Sequence, residues 1–432
     1  MKYSNVKIAF YSLQKYGKLL AFVPFFMFLL LSCQPTSRNN KTISQTLILE
    51  DDSIIVSNQH EYIGRKSRIM TGSERLYLVL DSLKNKRVAV VGNQTSMVKN
   101  SHLVDTLLAL KINVVKVFSP EHGFRGLADA GEKVNSTSDA KTGLPIISLY
   151  GNNKKPTPEQ LSDVEVILFD LQDVGVRFYT YISTLHYVME ACAEKGIRLI
   201  VLDRPNPNAH YIDGPVLKPE YKSFVGMDPV PIVYGMTIGE YALMLNGEHW
   251  LDCGVECNLW VIPCKFYTHH SPYSLPIAPS PNLKTDLAIA LYPSLCLFEA
   301  TTVSLGRGTE RPFEIYGHPK FPETGYAFTP ISMPGAKTPP RLNEKCNGYD
   351  LSKSKNFRLD KLNLEYVLNA NYLLTDSSVF IDQNAFFDKL AGNIELRSQI
   401  HSCISEDSIR KTWKPDLEAF KVIRKKYLLY ED

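Results

Sequence analysis

Four short apolar runs, separated by stretches with helical patterns, constrain the fold of this chain more than any other feature. Helix-like segments at 103–110 and 184–195 lie between the runs, and the second ends at Gly196, as helices often do. Continuous apolar runs are typical of strands that are buried on both faces. The alternation predicts an α/β fold with a parallel sheet and helices on both of its faces. The four runs cover residues 87–94, 113–119, 164–171 and 198–203.

A change in composition around Pro279, where prolines cluster, predicts a second domain. The chain of 432 residues exceeds what a single core usually supports, so two domains in close contact are expected. We place the boundary near Pro279, with a first domain over 76–278 and a second over 279–432. Amphipathic patterns at 359–372 and 408–430 predict helices towards the C-terminus.

The first residues have the layout of a signal peptide. Four lysines occur in the first 18 residues, and the stretch 19–31 is apolar. At the helical rise, these 13 residues span roughly 20 Å, which is less than the hydrocarbon core of a bilayer. Pro24 also interrupts the stretch. A spanning helix is therefore the weaker interpretation.

The apolar stretch leads into Ser32-Cys33, which resembles the bacterial lipobox, where a cysteine is lipidated and becomes the new N-terminus. We therefore expect a lipoprotein signal peptide over 1–33 and lipid on Cys33. The following residues 34–75 begin as a polar, Ser-, Thr- and Asn-rich stretch, which favours a flexible tether. Gln34 after the cysteine resembles a signal for sorting to the outer membrane. The expected location is the periplasmic face or the surface of that membrane.

Composition and missing motifs argue against several classes of partner and cofactor. The net charge of +3 is close to neutral for this length, so nothing indicates binding to nucleic acid. Neither a Gly-x-Gly-x-x-Gly motif nor a Walker loop occurs, so no nucleotide cofactor is expected. Cys253, Cys257 and Cys264 cluster, but no set of histidines accompanies them at ligand spacing. We therefore predict buried thiols there and no metal site.

Polar clusters follow three of the four apolar runs at the point where each run ends. Because the carboxyl ends of parallel strands share one edge of a sheet, these clusters are expected to meet in one crevice. Charged groups that share a crevice shift one another's pKa, and a raised carboxyl pKa suits a general acid. Helix capping and surface ion pairs are the alternative interpretation. The clusters hold Glu121, His122 and Arg125; Asp170, Asp173, Arg177, Tyr179 and Tyr181; and Asp203, Arg204 and Asn206.

Long strings in this chain resemble the peptidoglycan exo-β-N-acetylmuramidases of the NamZ type. The resemblance extends over nearly the whole chain from about residue 77. It implies a glycoside hydrolase that removes N-acetylmuramic acid from the non-reducing end of cell-wall glycans. It also implies a Rossmann-like parallel sheet domain, a second, smaller α/β domain and a cleft between them. The strings include Val-Gly-Asn-Gln-Thr-Ser (91–96), Phe-Ser-Pro-Glu-His-Gly-Phe-Arg-Gly (118–126), Phe-Asp-Leu-Gln-Asp-Val-Gly-Val-Arg-Phe-Tyr-Thr-Tyr (169–181) and Leu-Asp-Arg-Pro-Asn-Pro (202–207).

Glu121 is the first choice for the catalytic general acid, since it sits in a glycine-framed loop beside His122. Asp173 and Asp170 are candidates for a base or for an electrostatic stabiliser. Tyr179 and Tyr181 are expected to donate hydrogen bonds to the transition state or to the acetamido group. The acetamido oxygen of the substrate is an alternative nucleophile, in which case a single protein acid and a polarising group suffice.

Muramic acid carries a lactyl carboxylate, so the pocket is expected to contain a cation that grips it. The candidates are Arg177, Arg204 and Arg307, each of which has a nearby acidic residue as an alternative partner. From the second domain, Asn282 and Glu299 are expected to close over the sugar. The remaining substrate-binding candidates from the clusters are Arg125, Tyr181, Asp203 and Asn206.

The expected partners are a peptidoglycan glycan or a muropeptide, together with a membrane through the lipid anchor. One alternative function is a wall-directed esterase or amidase, which would need a Gly-x-Ser-x-Gly elbow or a metal triad. The other alternative is a non-catalytic lipoprotein that binds peptidoglycan. The sequence contains no indication of the oligomeric state.

Cys33→Ser tests the predicted lipid anchor. In a bacterial host that processes lipoproteins, the wild type should incorporate labelled palmitate and fractionate with membranes, because the thiol is the attachment point. The variant should lose the label. Cys253→Ser is the matched control and should be labelled like the wild type. Equal labelling of the Cys33 variant would contradict the prediction.

Overall fold

A mostly parallel sheet of eight strands lies at the centre of the part of the chain that the structure describes. The computed structural model describes residues 47–48, 68–121, 123–124, 137–353, 358–374 and 380–432. The strands are β1 (Leu47–Ile48), β2 (Val88–Gly92), β3 (Met97–Val98), β4 (Ser101–His102), β5 (Val114–Ser119), β6 (Thr137–Ser138), β7 (Pro145–Ser148), β8 (Val166–Asp170), β9 (Arg198–Leu202), β10 (Leu259–Ile262), β11 (Ile315–His318), β12 (Ala327–Phe328) and β13 (Cys346–Asp350).

The strand order of the central sheet is β1-β10-β9-β8-β2-β5-β7-β6. All neighbouring pairs are parallel except β6 and β7. Along the chain, β5, β6 and β7 extend the sheet on one side of β2, and β8, β9 and β10 then extend it on the other side. The direction in which the sheet grows therefore reverses at β2. A reversal of this kind opens a crevice at the carboxyl ends of the strands. The four apolar runs are therefore confirmed as β2, β5, β8 and β9.

Both faces of the sheet are buried. Val88 and Val90 of β2 belong to one core cluster, and Ala89 and Val91 belong to the other. Helices cover these faces, as the alternating pattern predicts. The helices are α1 (Leu80–Leu83), α2 (Leu103–Ala109), α3 (Tyr181–Lys195), α4 (Ile238–Gly247), α5 (Asp286–Leu295), α6 (Glu365–Leu373), α7 (Asn384–Ala391), α8 (Glu395–His401) and α9 (Glu406–Arg424).

The residues after Pro279 form a smaller α/β part of the molecule, which we call the C-terminal part. Its sheet has three antiparallel strands in the order β11-β13-β12, and the helices α5 to α9 belong to the same part of the chain. The residues before Pro279 are the N-terminal part. The predicted fold class, a Rossmann-like sheet with a second, smaller α/β part, is confirmed. Short 3-10 helices occur at Gly72–Leu78, Pro219–Tyr221, Asp252–Gly254, Cys296–Ala300 and Leu351–Lys353.

The folded region begins earlier than residue 76, so the predicted tether over 34–75 is too long. Thr71 caps the 3-10 helix Gly72–Leu78 in a capping box with Glu74. Arg75 is 5% exposed, and its Nη1 donates a hydrogen bond to the carbonyl of Pro263 at 2.8 Å. Polar residues in this segment thus cap a helix or form buried hydrogen bonds. Composition alone does not distinguish such residues from those of a flexible tether.

The last residues of the chain return to the N-terminal part. The carboxylate of Glu240 accepts hydrogen bonds from the backbone of Leu429 at 2.8 Å and from His269 at 2.8 Å. Arg424 donates to the carbonyl of Gly235 at 2.6 Å, and Tyr430 donates to Asp203. The C-terminal end of the range 279–432 therefore packs on the first sheet as well as on its own part.

No helix among the described residues is both long and apolar enough to cross a membrane. The predicted signal peptide and Cys33 lie outside these residues. So do His122 and Arg125, two of the candidate site residues.

A buried charge network joins α3 to the loop before α4. The imidazole of His186 lies 2.9 Å from Glu190 and 2.9 Å from Asp228, and it has no solvent exposure. Burial alone would lower the pKa of His186, but the hydrogen bonds to Asp228 and Glu190 raise it to about 9. Burial would likewise raise the pKa of Glu190, but its bonds to His186 and Lys155 lower it to about 2.

His186 should make the stability of the protein fall at alkaline pH. Because its pKa is above the unfolded value, its contribution is complete below pH 6.5 and is lost as the pH rises through about 9. The contribution is on the order of 3 kcal/mol. Urea unfolding of the wild type should show this loss.

His186→Gln should be less stable by about 3–5 kcal/mol at pH 7, since it leaves the buried carboxylate of Asp228 without a cation and Glu190 with Lys155 alone. Its stability should also change much less between pH 6.5 and 9.5. His270→Gln, at an exposed position, is the control and should keep the wild-type profile. A His186 variant with the wild-type alkaline loss would refute this assignment.

Candidate active site

One cavity of about 650 Å³ lies between the N-terminal and C-terminal parts. Its walls come from the loops after the central strands on one side and from residues beyond 279 on the other. The residues that line it include Glu121, Tyr150, Phe178, Tyr179, Thr180, Tyr181, Phe224, Val225, Ser280, Asn282, Tyr292, Phe298, Glu299, Arg307, Phe313, Lys337 and Phe386. The cavity therefore corresponds to the cleft that the resemblance implies.

Glu121 reaches the cavity from the carboxyl end of β5. It follows Ser119 and Pro120, at the edge of the sheet where the order reverses. The hydroxyl of Thr180, just before α3, donates to its carboxylate at 3.3 Å. The hydroxyl of Tyr150, just after β7, also donates to it, and burial together with this carboxylate raises the pKa of Tyr150. Two hydroxyl groups from neighbouring loops thus orient the carboxylate.

Tyr179 and Tyr181 line the cavity, but their hydroxyl protons point to the junction between the two parts. Both hydroxyls donate to the carbonyl of Pro279, at 2.8 and 3.3 Å. The hydroxyl of Tyr181 also accepts a hydrogen bond from Asn93 at 2.7 Å. A phenol has one proton to donate. The predicted donation from these tyrosines to a substrate is therefore not what the structure shows; they hold the junction.

Several aromatic residues form part of the cavity wall. The ring of Tyr292 contacts Phe178 and Phe313 edge to face, with centroids 5.4 and 5.1 Å apart. Phe298 and Phe313 are almost fully buried. Aromatic rings offer flat apolar faces, which suit the C–H face of a sugar ring.

Arg307 and Glu299 also line the cavity, and they form an ion pair. Burial alone would lower the pKa of Arg307, but Glu299 more than offsets this and raises it, so the guanidinium is charged. Its central carbon lies 5.1 Å from the centroid of the Phe313 ring. Gly306 and Gly308 flank it at φ angles of 75° and 79°, where residues with a side chain are strained. The turn thus fixes one cation in the cavity wall.

Asn282 connects the junction to the segment that forms the outer wall. Its amide donates to the carbonyl of Gly335 at 2.9 Å, and it is 3% exposed. The next residues in that segment include Lys337, an exposed cation at the edge of the cavity. Glu121, Asn282, Glu299 and Arg307 are therefore the predicted site residues that the structure brings together with their side chains at one cavity.

Asp170 and Arg204 do not line the cavity, contrary to their predicted roles. Asp170 has no solvent exposure, and its carboxylate pairs with Arg204 at 2.6 and 3.0 Å. Arg204 is 4% exposed and donates further to the carbonyl of Met97 at 3.2 Å. The pair forms a buried cross-link between the ends of β8 and β9, so neither group is available to a ligand.

Arg177 is also a structural residue, not a clamp for a substrate carboxylate. It is fully buried, and its guanidinium donates to four backbone carbonyls at 2.7 to 2.9 Å. Gly392 ends α7 at a φ of 80°, and a Cβ there would lie 2.6 Å from Nη2 of Arg177. The site of this arginine is thus shaped to exclude even a methyl group. The four carbonyls belong to Pro215, Val230, Leu390 and Ala391.

Asp203 and Asn206 likewise satisfy backbone and hydroxyl groups inside the N-terminal part. Asp203 accepts from the hydroxyl of Thr237 and from the amide of Gly239, both at 2.8 Å. Asn206 donates to the carbonyl of Met236 at 2.8 Å. Both are almost fully buried, and neither lines the cavity. The predicted contacts of these two residues with substrate are not present in the structure.

Asp173 lies beneath the cavity and not in its wall. It is 2% exposed and accepts hydrogen bonds from the amide of Gly175 at 2.7 Å and from the hydroxyl of Tyr234. Burial raises its pKa to about 6, although these bonds oppose the rise. A direct catalytic role for Asp173 does not fit this position.

Sequence reasoning missed Tyr150, Thr180, Tyr292 and Lys337 as lining residues. Tyr150 could have been predicted from the apolar stretch 145–149 that precedes it. This stretch contains a further strand of the same sheet, β7. Its polar end therefore falls at the same edge as Glu121. Lys337 lies in a proline-rich segment whose position depends on Asn282, and no local pattern marks it.

The fold and the cavity define an α/β protein with a carboxylate and a charged pair in an aromatic cleft, an arrangement suited to a glycosidase. Comparison with known families matches residues 88–287 to the N-terminal domain, and residues 290–430 to the C-terminal domain, of the exo-beta-N-acetylmuramidase NamZ. The chain therefore belongs to the NamZ exo-β-N-acetylmuramidase family, as the strings in its sequence indicate.

Individual relatives agree with this assignment. The peptidoglycan beta-N-acetylmuramidase NamZ of Bacillus subtilis (strain 168) is 39% identical over 389 residues, which cover 85% of this chain and 92% of that protein. A crystal structure of a DUF1343 family protein from Bacteroides fragilis matches with 49% identity and a TM-score of 0.78, over 85% of this chain and 100% of that one. A second from the same organism matches with 31% identity and a TM-score of 0.73, over 84% and 99%.

Proposed function

We propose that this protein is an exo-β-N-acetylmuramidase that releases N-acetylmuramic acid from the non-reducing ends of peptidoglycan glycans or muropeptide fragments. One observation carries the proposal. The two regions that match the two NamZ domains contribute opposite walls to a single cavity, and Glu121 lies in that cavity. Membership of the family supports the reaction, and the cavity supports the place where it occurs.

Glu121 acts as the general acid in this proposal. It delivers its proton to the glycosidic oxygen as the bond from that oxygen to the anomeric carbon breaks, so the leaving sugar departs as a neutral alcohol. The positive charge that develops on the muramic acid ring is quenched when water adds to the anomeric carbon and gives up one proton, which restores the acid form of Glu121 for the next turnover. The hydroxyls of Thr180 and Tyr150 keep the carboxyl group directed into the cavity.

Arg307 binds the lactyl carboxylate of the muramic acid. Its planar fork can engage a carboxylate through two parallel hydrogen bonds, and Glu299 and Phe313 already hold it in one orientation. All three residues line the cavity, and Phe313 is almost fully buried.

We further propose that the enzyme is exported and tethered to a membrane by lipid on Cys33. The lysine-rich start, the apolar stretch and the lipobox-like cysteine support this placement. Peptidoglycan lies outside the cytoplasm, so a tether at the membrane would keep the cavity close to its polymer.

Glu121→Gln tests the general acid. The amide keeps the shape of the side chain but cannot supply the proton, so the rate of N-acetylmuramic acid release should fall by about 10²- to 10⁴-fold. Release of free sugar from a chromogenic β-N-acetylmuramic acid glycoside measures it. Glu418→Gln on α9, at an exposed surface position, is the matched control. Full activity of the Glu121 variant would remove this residue from the mechanism.

Arg307→Met tests the recognition of the lactyl group. The variant keeps a long side chain against Phe313 but loses the charge, so its kcat/KM on the muramic acid glycoside should fall by roughly tenfold or more. The preference over the matching N-acetylglucosamine glycoside, which lacks the lactyl ether, should shrink by a similar factor. A variant that retains the wild-type preference would show that Arg307 does not bind the lactyl group.

A further inference from the structure

A pair of half-buried aromatic residues, Tyr150 and Phe224, lines the cavity, and their ring centroids are 6.5 Å apart. The ring of Tyr187 lies nearly parallel to Phe224, with centroids 6.3 Å apart and an angle of 14°. The ammonium group of Lys154 lies over the Phe224 ring, 4.5 Å from its centroid. This part of the wall, which we call the outer wall, is therefore an aromatic surface with a cation over one of its rings.

This surface is continuous with the catalytic carboxylate. The hydroxyl of Tyr150 donates to Glu121, so the row of side chains starts at the proton donor and runs through Tyr150 to Phe224. We call the part of the cavity lined by Arg307 and Phe313 its inner half, and the part lined by Tyr150 and Phe224 its outer half. Phe313 is almost fully buried, whereas Arg307 and Phe224 are each partly buried.

The position of a general acid assigns the two halves. The acid must reach the oxygen that joins the departing sugar to the sugar that stays, so the two sugars lie on either side of it. The inner half, with the cation Arg307, suits the terminal muramic acid. The outer half must then hold the sugar that leaves, and the rest of the glycan extends beyond it.

We propose that Tyr150 and Phe224, with Lys154 over the Phe224 ring, form a binding site for the leaving sugar, the neutral N-acetylglucosamine residue next to the terminal muramic acid. The inference rests on the proposed function. The apolar C–H face of a hexosamine ring packs on aromatic rings. The ammonium of Lys154 can donate hydrogen bonds to the hydroxyl or acetamido oxygens of the same sugar.

The exposure of these rings distinguishes the outer wall from the core. The aromatic residues of the inner wall, such as Phe298 and Phe313, are almost fully buried by their neighbours. Tyr150, Tyr187 and Phe224 are each only partly buried. Partly exposed aromatic rings leave apolar surface in contact with water, which is unfavourable. A sugar bound on the rings would remove that surface from water.

Phe224→Ala provides the test. The purified enzyme is assayed on the disaccharide N-acetylmuramyl-β-1,4-N-acetylglucosamine and on the methyl glycoside of β-N-acetylmuramic acid, which has no leaving sugar. We expect kcat/KM on the disaccharide to fall about tenfold, mainly through KM. The ratio of the disaccharide value to the methyl glycoside value should fall by at least fivefold, because only the disaccharide uses the outer half.

Lys154→Met is a second variant. Because Lys154 is half-exposed, this substitution should leave the packing of the core unchanged. It should lower the same ratio about threefold. Tyr372→Ala is the matched aromatic control, because that side chain is 76% exposed on α6 and does not line the cavity. It should leave the ratio at the wild-type value. Equal losses on both substrates in the Phe224 and Lys154 variants would overturn the proposed sugar site.

Binding of free N-acetylglucosamine separates this inference from the proposed function. Titration followed by NMR should show binding to the wild type that weakens about tenfold in Phe224→Ala. If the wild type hydrolyses neither substrate, the proposed function fails, while this titration still decides the sugar site. Identical binding by the wild type and the Phe224 variant would overturn the site even in an active enzyme.

Discussion

The guanidinium of Arg177 holds the two sides of the cleft together. It has no solvent exposure, and its four hydrogen bonds reach two carbonyls of the N-terminal part and the carbonyls of Leu390 and Ala391 in the C-terminal part. These bonds satisfy Nη1 and Nη2, while Nε has no hydrogen-bond partner among the described residues. Because a buried charge depends on such bonds, the surrounding loops must adopt an arrangement that keeps the four carbonyls in place. The same segment then continues into Tyr179 and Tyr181, whose hydroxyls hold the carbonyl of Pro279 at the junction.

The chemistry of the cleft depends on this anchored segment. Thr180, between the two tyrosines, donates to Glu121 and so directs the proposed acid into the cavity. Arg307 faces it from the other part, on a turn fixed by two glycines and paired with Glu299. Arg307 and Phe224 line the same cavity as Glu121. In the proposed function, Arg307 holds the terminal muramic acid and Phe224 contacts the sugar that leaves.

The clusters of charged residues at the strand ends were a sound guide to the edge of the sheet that carries the site, but a poor guide to individual roles. Glu121, Glu299, Arg307 and Asn282 do lie at the cavity. Asp170 and Asp203 instead satisfy an arginine, hydroxyls and backbone amides within the fold. Strand ends present unpaired backbone groups, and carboxylates are good acceptors for them, so the same residue types serve structure and catalysis equally well.

The sequence by itself determined the parallel sheet, the edge at which its loops meet and the family, because apolar periodicity and long strings are local properties of the chain. Only the tertiary structure decided which polar side chains face the cavity. Asp170 and Glu121 both follow buried strands, yet one meets Arg204 in the interior and the other meets Thr180 and Tyr150 at the cavity. The difference comes from partners that are distant in sequence. The burial and the hydrogen bonds of a side chain are set by those partners, and no local pattern encodes them.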